Sequence, residues 1–385
     1  MTGRCPPATD VRVLLLSAYA AQSHQYWARG LTAMFPEWNW TELSLPPRHF
    51  SWRIRGNPLI WSQEAREQLE RDHDLLVATS MVDLATLRGL VPALCALPTA
   101  LYFHENQFLY PEGSRQYSLL DAQMVTLYAA LAADRILFNS MHNRDSFLDG
   151  VRTLLQRLPD LVPGGVAQRI GEKSVILPVP LLAEDTAAVR PFWPGQSGDY
   201  PQRPLRLLWS ARFEHDKGGE ELLQILDLLV ADGLPFELAV TGQQFRNSPP
   251  VFAEIARRFA LQLVQFGFVE SPETYRALRA GADIVLSTAR HEFQGLAVLQ
   301  AVAAGCVPVV PDRLAYREIY PDSLRYACAS TQSGGEARSA ADLVGQVARV
   351  LAQGERPVPV VDGYTAAVLA PRYRELFRAL AAHAG

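Results

Sequence analysis

Residues 288–310 read TARHEFQGLAVLQAVAAGCVPVV, with a carboxylate, Glu292, three positions ahead of Gly295 and between two strand-like apolar runs. A helix starting at Gly295 and Leu296 presents free amides, and a glycine lets an anion come close to them, so this turn suits a phosphate. Glu292 would repel a phosphate but accepts hydrogen bonds from hydroxyls. Acid and amides together fit a ligand that carries both groups; Glu292 as a plain helix cap is the competing reading. In LLWSARFEHDKGGEELL (207–223) two cations, Arg212 and Lys217, occupy the turn from a strand into the next helix. Two positive charges beside a helix start suit a diphosphate, whereas a solvated loop of mixed charge would explain either one alone.

Further polar clusters follow apolar runs in the first half of the chain. YFHENQFLYPEG (102–113) sets His104, Glu105, Asn106 and Gln107 in a row. A lone histidine is more often structural, but four consecutive polar groups opening a loop are harder to explain by packing. SAYAAQSHQYW (17–27) offers Ser17, Gln22, Ser23 and His24, with no glycine to let its backbone hug a ligand. FNSMHNRDSF (138–147) offers Asn139, Ser140 and Asn143, or simply starts a helix. LSLPPRHFSWRIRGNPLIW (43–61) interleaves Arg48, His49, Arg53 and Arg55 with Phe50, Trp52 and Trp61, a pattern suited to phosphates and splayed bases. Five of the seven Trp lie within the first 61 residues, which places such recognition in the first half; a Trp-rich core loop with solvated arginines is the alternative.

These loops need a scaffold that brings them to one edge. Strand-like runs at 11–18, 40–45, 74–80, 98–104, 135–140 and 174–180 alternate with amphipathic stretches such as YWARGLTAMF and SLLDAQMVTLYAALAA. The alternation predicts a parallel sheet covered by helices on both faces. LLAEDTAAVRPFWPGQSGDYPQRP (181–204) breaks the pattern with Pro and Gly and reads as a linker. A second alternation follows, with strands at 205–212, 235–242, 263–269 and 283–289, the helix GLAVLQAVAAG and the strand VPVVP. The expectation is an α/β chain of two Rossmann-like, doubly wound domains facing across a cleft. Residues 1–182 form the first, 183–204 the linker and 205–360 the second; 361–385 is a helix that packs back on the first domain. Ligands of such sheets sit beyond the carboxyl ends of the strands, where all of these loops fall.

Composition narrows the function. At 385 residues two domains are the natural reading, and 49% apolar with 20% charged residues is ordinary globular composition. A net charge of −4 argues against bulk electrostatic capture of nucleic acid or membrane, leaving room for a local basic patch. Cys5, Cys95, Cys306 and Cys328 show no paired spacing, as expected of reduced thiols in a cytoplasmic protein. No run of 18 apolar residues occurs, so no membrane span is expected, and VRVLLLSAYAA reads as a first buried strand and not a signal peptide. The chain lacks G-x-G-x-x-G after its first strand, a Walker A loop and a serine elbow, which disfavours dehydrogenases, P-loop NTPases and hydrolases. Asp72-His73-Asp74 resembles a D-x-D metal clamp but precedes a strand, at the wrong end for a site, so no metal is expected.

Together the pieces resemble the retaining GT-B glycosyltransferases of the family 4 type. Their signature is an acid, seven residues and a second acid, with an Arg and a Lys upstream; it falls here on Glu292 and Gln300, and on Arg212 and Lys217. The resemblance implies that Glu292 contacts the donor sugar, that position 300 faces the nucleotide ribose, and that Arg212, Lys217 and the amides at Gly295 and Leu296 hold the diphosphate. Gln300 departs from the pattern. It can still accept a ribose hydrogen bond, at a loss of about 1 kcal/mol of charge assistance. The chain is more closely similar to the tRNA-queuosine α-mannosyltransferase family, in LLLSAYAAQSHQYWARGL, LPPRHFSWRIRGN, YFHENQFLYP, FNSMHNRDSFL, WSARFEHDKG, TGQQFRNSPPVF and HEFQG. Arg317 in AYREIYP stands where proline is expected. This resemblance implies transfer of mannose from GDP-mannose to the cyclopentenediol of queuosine, at the anticodon wobble position of a tRNA of the aspartate type. No cofactor is expected. His104 is expected to touch the sugar or the reacting face. Ser17, Gln22, His24, Arg48, Trp52, Arg53, Arg55, Glu105, Asn106 and Gln107 are expected to form the acceptor side. Competing readings are a GT-B enzyme for a glycan or lipid acceptor, a sugar-nucleotide epimerase, and a non-catalytic nucleotide-sugar or tRNA-binding protein.

Overall fold

A computed structural model of the chain describes residues 11–109, 119–245, 247–328 and 334–382; the YPEG end of the HENQ loop and Arg246 lie outside them. The chain divides into two compact units, Met1–Pro180 with Ala366–Gly385, and Leu181–Thr365.

The first unit is built on β1 (Arg12–Ser17), β2 (Asn39–Ser44), β3 (Leu75–Thr79), β4 (Thr99–Phe103), β5 (Arg135–Phe138) and β6 (Ser174–Ile176). They form one sheet in the order β2-β1-β3-β4-β5-β6, and every pairing is parallel. The runs LLVAT and TALYF are buried along their whole length, which is why they read as continuous apolar segments instead of alternating ones. The apolar run 174–180 pairs only over its first three residues.

Two helices of this unit carry residues singled out by the sequence. Helix α1 (Gln22–Met34) buries Trp27, which stacks on Tyr102 of β4 at 4.2 Å. Helix α2 (Phe50–Glu64) occupies the arginine and tryptophan segment, although its centre reads Gly56-Asn57-Pro58. Pro58 has no N–H for the carbonyl of Ile54. The Asn57 amide substitutes, donating to Ile54 O at 3.1 Å, Arg53 O at 2.8 Å and Met81 O at 3.2 Å. The C-terminal helix Ala366–Ala381 belongs to this unit. Trp27 Nε1 donates to the Tyr373 hydroxyl at 3.1 Å, and that hydroxyl donates to Pro178 O at 3.0 Å.

The second unit carries β7 (Leu205–Ser210), β8 (Phe236–Thr241), β9 (Leu263–Gly267), β10 (Ile284–Leu286), β11 (Val307–Pro311) and β12 (Arg325–Tyr326). Their order is β12-β11-β10-β7-β8-β9, again with parallel pairings. The segment 183–204, which reads as a linker in the sequence, is fastened to this unit. Arg279 donates to Asp185 at 3.1 Å and Trp193 Nε1 to Glu237 at 2.7 Å. Arg203 makes a buried two-pronged pair with Asp283 at 2.6 and 3.0 Å. Beyond the one-turn helix Ala183–Thr186 its Pro and Gly leave it without regular structure, yet these bonds hold it in place.

Strand order changes direction between β1 and β3 in the first sheet and between β7 and β10 in the second. Those are the switch points where the loops after neighbouring strands diverge and open a crevice. Among the described residues no helix is long and apolar enough to cross a membrane.

Candidate active site

The switch point of the second unit is made by the loops after β7 and β10, which are the Arg212–Lys217 and HEFQG segments. They are stitched together. Asp216 O accepts from the amides of Arg290 at 2.9 Å and His291 at 3.2 Å. Thr288 Oγ1 donates to Lys217 O at 2.8 Å. Gly218 closes the turn at φ +71°, and a Cβ there would lie 2.1 Å from Thr288 O, so only glycine allows this approach.

Lys217 is largely enclosed between the loops, its side chain 11% exposed. Its Nζ donates to His291 O at 2.7 Å and lies 3.4 Å from Glu292 Oε2 and 3.3 Å from Asp216 Oδ2. Burial works against the ammonium, but Glu292 and Asp216 outweigh it and raise its pKa. Arg212 is close enough to oppose that rise; its half-exposed guanidinium is 3.0 Å from Glu214. Glu292 uses its other oxygen on backbone, accepting from Phe293 N at 3.0 Å and Gln294 N at 3.5 Å. Burial would raise its pKa, yet Lys217 and these amides hold the carboxyl below its ordinary value. Glu292 therefore both caps the turn and faces a cation.

The helix Leu296–Ala303 starts at Gly295, whose φ is +75°; a Cβ there would lie 2.7 Å from Tyr316 Cε1, so its absence leaves room for that ring. Ser210, Lys217, Glu292, Gly295 and Tyr316 line a recess of about 20 Å³, the size of a single water. The fold thus brings Arg212, Lys217, Glu292, Gly295 and Leu296 to one edge. Gln300 is half-buried on the second turn of the same helix. Arg317 is on the surface, its Nε 3.1 Å from Asp312.

The first unit gathers polar groups at its own switch point. His104 follows β4 and is 7% exposed; its ring lies 4.2 Å from His24 and 5.0 Å from Trp27. Burial, and then His24, push its pKa well down, so His104 is a neutral hydrogen-bonding group. Its Nε2 has no partner, and neither do the buried hydroxyls of Ser17, at the end of β1, and Thr79, at the end of β3. Buried polar atoms are normally paired, so these three atoms at the ends of adjacent strands have unused hydrogen-bonding capacity at this edge.

The HENQ loop is divided in its roles. Glu105 is half-buried. Asn106, expected on the acceptor side, is wholly buried and committed to the fold. Its amide donates to Asn143 Oδ1 at 2.9 Å and Ser146 Oγ at 3.0 Å, and its oxygen accepts from Phe108 N at 3.0 Å. Gln107 is 4% exposed. Asn139 and Asn143 hold the same loop, donating to His104 O at 2.8 Å and Phe103 O at 3.0 Å. Ser140 caps the following helix through Asn143 N at 3.0 Å. This second asparagine cluster therefore holds the loop in place.

Around that floor lie the remaining acceptor candidates. Gln22 is exposed on α1, and the buried His24 has Nδ1 2.6 Å from Tyr19 O. Arg48 and Trp52 are exposed and Arg53 half-buried. Arg55 pairs at 2.7 Å with Asp83, which caps the helix Leu84–Leu90 after β3. Phe50 meets Tyr19 edge-on at 5.8 Å, which sets the start of α2 beside the β1 loop. Thr79, Asp83, Asp216 and Tyr316 are not distinguished by sequence; only Asp216, next to Lys217, sits in a motif that could flag it. Asp74 is spent on Arg12 at 2.7 Å, and among the described residues no cluster of ligating side chains could hold a metal ion.

Comparison with known proteins agrees with this division. Residues 12–181 match the family model described as tRNA-queuosine alpha-mannosyltransferase N-terminal, and residues 196–358 match glycosyl transferases group 1. The tRNA-queuosine alpha-mannosyltransferase of Drosophila melanogaster is 34% identical over 82% of this chain and 83% of its own. A GDP-mannose:cellobiosyl-diphosphopolyprenol alpha-mannosyltransferase of Xanthomonas oryzae pv. oryzae (strain PXO99A) is 29% identical over 31% of each chain. Among solved structures, sucrose-phosphate synthase from Thermosynechococcus elongatus superposes with TM-score 0.67 at 13% identity, covering 96% of this chain and 99% of its own. Anabaena HepE in complex with UDP superposes with TM-score 0.60 at 12% identity, covering 97% of both chains. These likenesses give the fold as GT-B. The first model spans the first-unit loops and the second spans the cation-and-acid edge of the second unit. The chain is a glycosyltransferase and belongs to the tRNA-queuosine alpha-mannosyltransferase family.

Proposed function

We propose that the protein is a retaining α-mannosyltransferase that moves mannose from GDP-mannose to the cyclopentenediol of queuosine in a tRNA anticodon, in the cytoplasm. The observation that carries the chemistry is the Lys217–Glu292 pair at the head of a glycine-started helix. A cation, a helix start and an acid at one strand edge match a substrate with a diphosphate joined to a sugar. Lys217, Arg212 and the amides at Gly295 and Leu296 take the charge that builds on the departing diphosphate. Glu292 orients the mannose hydroxyls. The side chain at position 300 meets the ribose as an uncharged acceptor. An acceptor hydroxyl attacks the anomeric carbon on the face from which the diphosphate leaves. The bond from that carbon to the phosphate oxygen breaks, and the hydroxyl proton passes to the leaving phosphate. No metal is required, because the cations replace it.

His104 and the hydroxyls of Ser17 and Thr79 supply the first unit's uncharged contacts, and the arginines of α2 supply its phosphate contacts. The test is one incubation series. Purified protein receives GDP-mannose or UDP-sugars with tRNA carrying or lacking queuosine, and the digested nucleosides are weighed by mass spectrometry. A hexose added only to queuosine, and only from GDP-mannose, is the expected result. No adduct from any pairing, with donor still bound, overturns the proposal in favour of a binding protein.

A further inference from the structure

Helix α2 carries a local contradiction. Gly56 sits in its middle, exposes nothing and turns no corner, and glycine there destabilises a helix relative to alanine. The neighbour that needs the space is Trp52, one turn earlier. A Cβ at position 56 would lie 2.7 Å from Trp52 Cε2 and 2.8 Å from both Cδ2 and Cζ2. Three consecutive atoms of the six-membered ring at nearly equal distance mean that this ring lies face-down over Gly56. The residue is nonetheless 50% exposed. A large aromatic laid flat against a helix with one face in solvent is unusual for core packing, because half of its apolar surface stays wet.

The surroundings say what covers that face. Arg48 and Arg55 are exposed, Arg53 is half-buried with Nε unpartnered, and the first turn of α2 holds no acid. Of the three, Arg55 is braced by Asp83. An exposed indole on a segment that carries Arg48 and Arg53 and no acid in its first turn matches an unstacked base with its flanking phosphates.

We infer that Trp52, held flat by Gly56, is a stacking platform for one base of a single-stranded RNA loop. Arg48 and Arg53 grip the flanking phosphates. This rests on the proposed RNA acceptor and specifies how its loop is held. Gly56 is a positioning residue, kept because any side chain there would lift the indole from its seat.

Binding of a labelled anticodon stem-loop RNA is measured with wild type and with Trp52→Ala, Trp52→Phe, Gly56→Ala and Arg48→Ala, against a duplex of equal length, over a salt series. Trp52→Ala should weaken stem-loop binding roughly 5- to 150-fold, the range expected for one lost stack, with an unchanged salt slope. Trp52→Phe should recover part of the loss. Gly56→Ala should weaken binding while leaving the melting temperature equal or higher, which a purely structural glycine would not do. Arg48→Ala should lower the salt slope by about one. Stem-loop affinities of Trp52→Ala and Gly56→Ala within twofold of wild type, or a wild type that prefers duplex, would overturn the platform. If the variants lose loop binding while wild type transfers no hexose to queuosine RNA, the platform stands and the mannosyltransfer reading falls.

Discussion

Lys217 carries most of the proposed chemistry, and its surroundings set clear expectations. Lys217→Ala removes the buried cation facing the diphosphate position and should lower turnover about 10²- to 10³-fold at saturating donor, as for loss of one preorganised charge contact. Circular dichroism should show the fold retained; near-normal turnover would remove Lys217 from the mechanism. The pair's pH behaviour follows from the directions of the shifts. Glu292 sits below its ordinary 4.5, so its stabilising effect is present above that value and is lost as pH falls through the lower, folded pKa. Lys217 sits above its ordinary 10.5, so its contribution holds below that value and is lost only as pH rises through the higher one. Donor affinity should therefore be flat across neutral pH in calorimetric titrations, and a break near pH 7 would mean that another group controls the site. Gln300→Glu tests the departure from the family pattern. Restoring a charged acceptor to the ribose should lower KM for the donor about fivefold, the equivalent of about 1 kcal/mol, with kcat little changed. These residues are legible in the sequence because acid, glycine and cations recur at fixed spacing after strands. Asn106 is not. Its polarity is the same whether it faces a ligand or a buried neighbour, and only the fold shows that Asn143 and Ser146 consume it.

The elements that place these residues are unevenly legible, for physical reasons. The strands stand out because a parallel sheet covered on both faces needs unbroken apolar runs, as in LLVAT and TALYF. Helix α2 does not, because Gly56 and Pro58 carry the signature of a turn. What rescues the helix is a side chain, Asn57, that restores bonds the backbone cannot make. Segment 183–204 has a linker's composition, and its attachment depends on partners such as Glu237 and Asp283 many residues away. The loop after β4 shows the same dependence. Asn143 is wholly buried and joins three segments: it donates to Phe103 O and to Asn139 Oδ1, and accepts from Asn106. Asn143→Ala leaves several buried polar groups unpaired and should cost about 2–4 kcal/mol in denaturant unfolding. Because the partners include the strand end that carries His104, turnover should fall by more than any loss of folded protein explains. A variant with full stability and activity would show that waters replace the amide.

At the scale of the whole chain, two sheets with different strand orders reach the same functional outcome. The first runs β2-β1-β3 and the second β10-β7-β8, yet in each the candidate residues cluster where the order reverses. Topology therefore determines where a ligand can be held, and the loops determine which ligand. The chain's return strengthens only one of the two units. The helix Ala366–Ala381 leaves the second unit and packs on the first, burying Tyr373 and Phe377 completely. The Tyr373 hydroxyl links Trp27 to Pro178, Arg374 pairs with Glu37, and the Phe377 ring lies 6.3 Å from Trp38. Phe377→Ala should therefore destabilise the first unit by about 3–5 kcal/mol, the usual cost of removing a buried aromatic. The second unit's core contains no residue of this helix. In a thermal ramp, stem-loop RNA binding should be lost at a lower temperature in Phe377→Ala than in wild type. Binding of a guanine nucleotide should persist to the wild-type temperature, because the groups proposed to hold it are all in the second unit. Simultaneous loss of both activities would mean that the two units unfold as one cooperative body. In that case the last 20 residues support the donor edge as much as the acceptor edge.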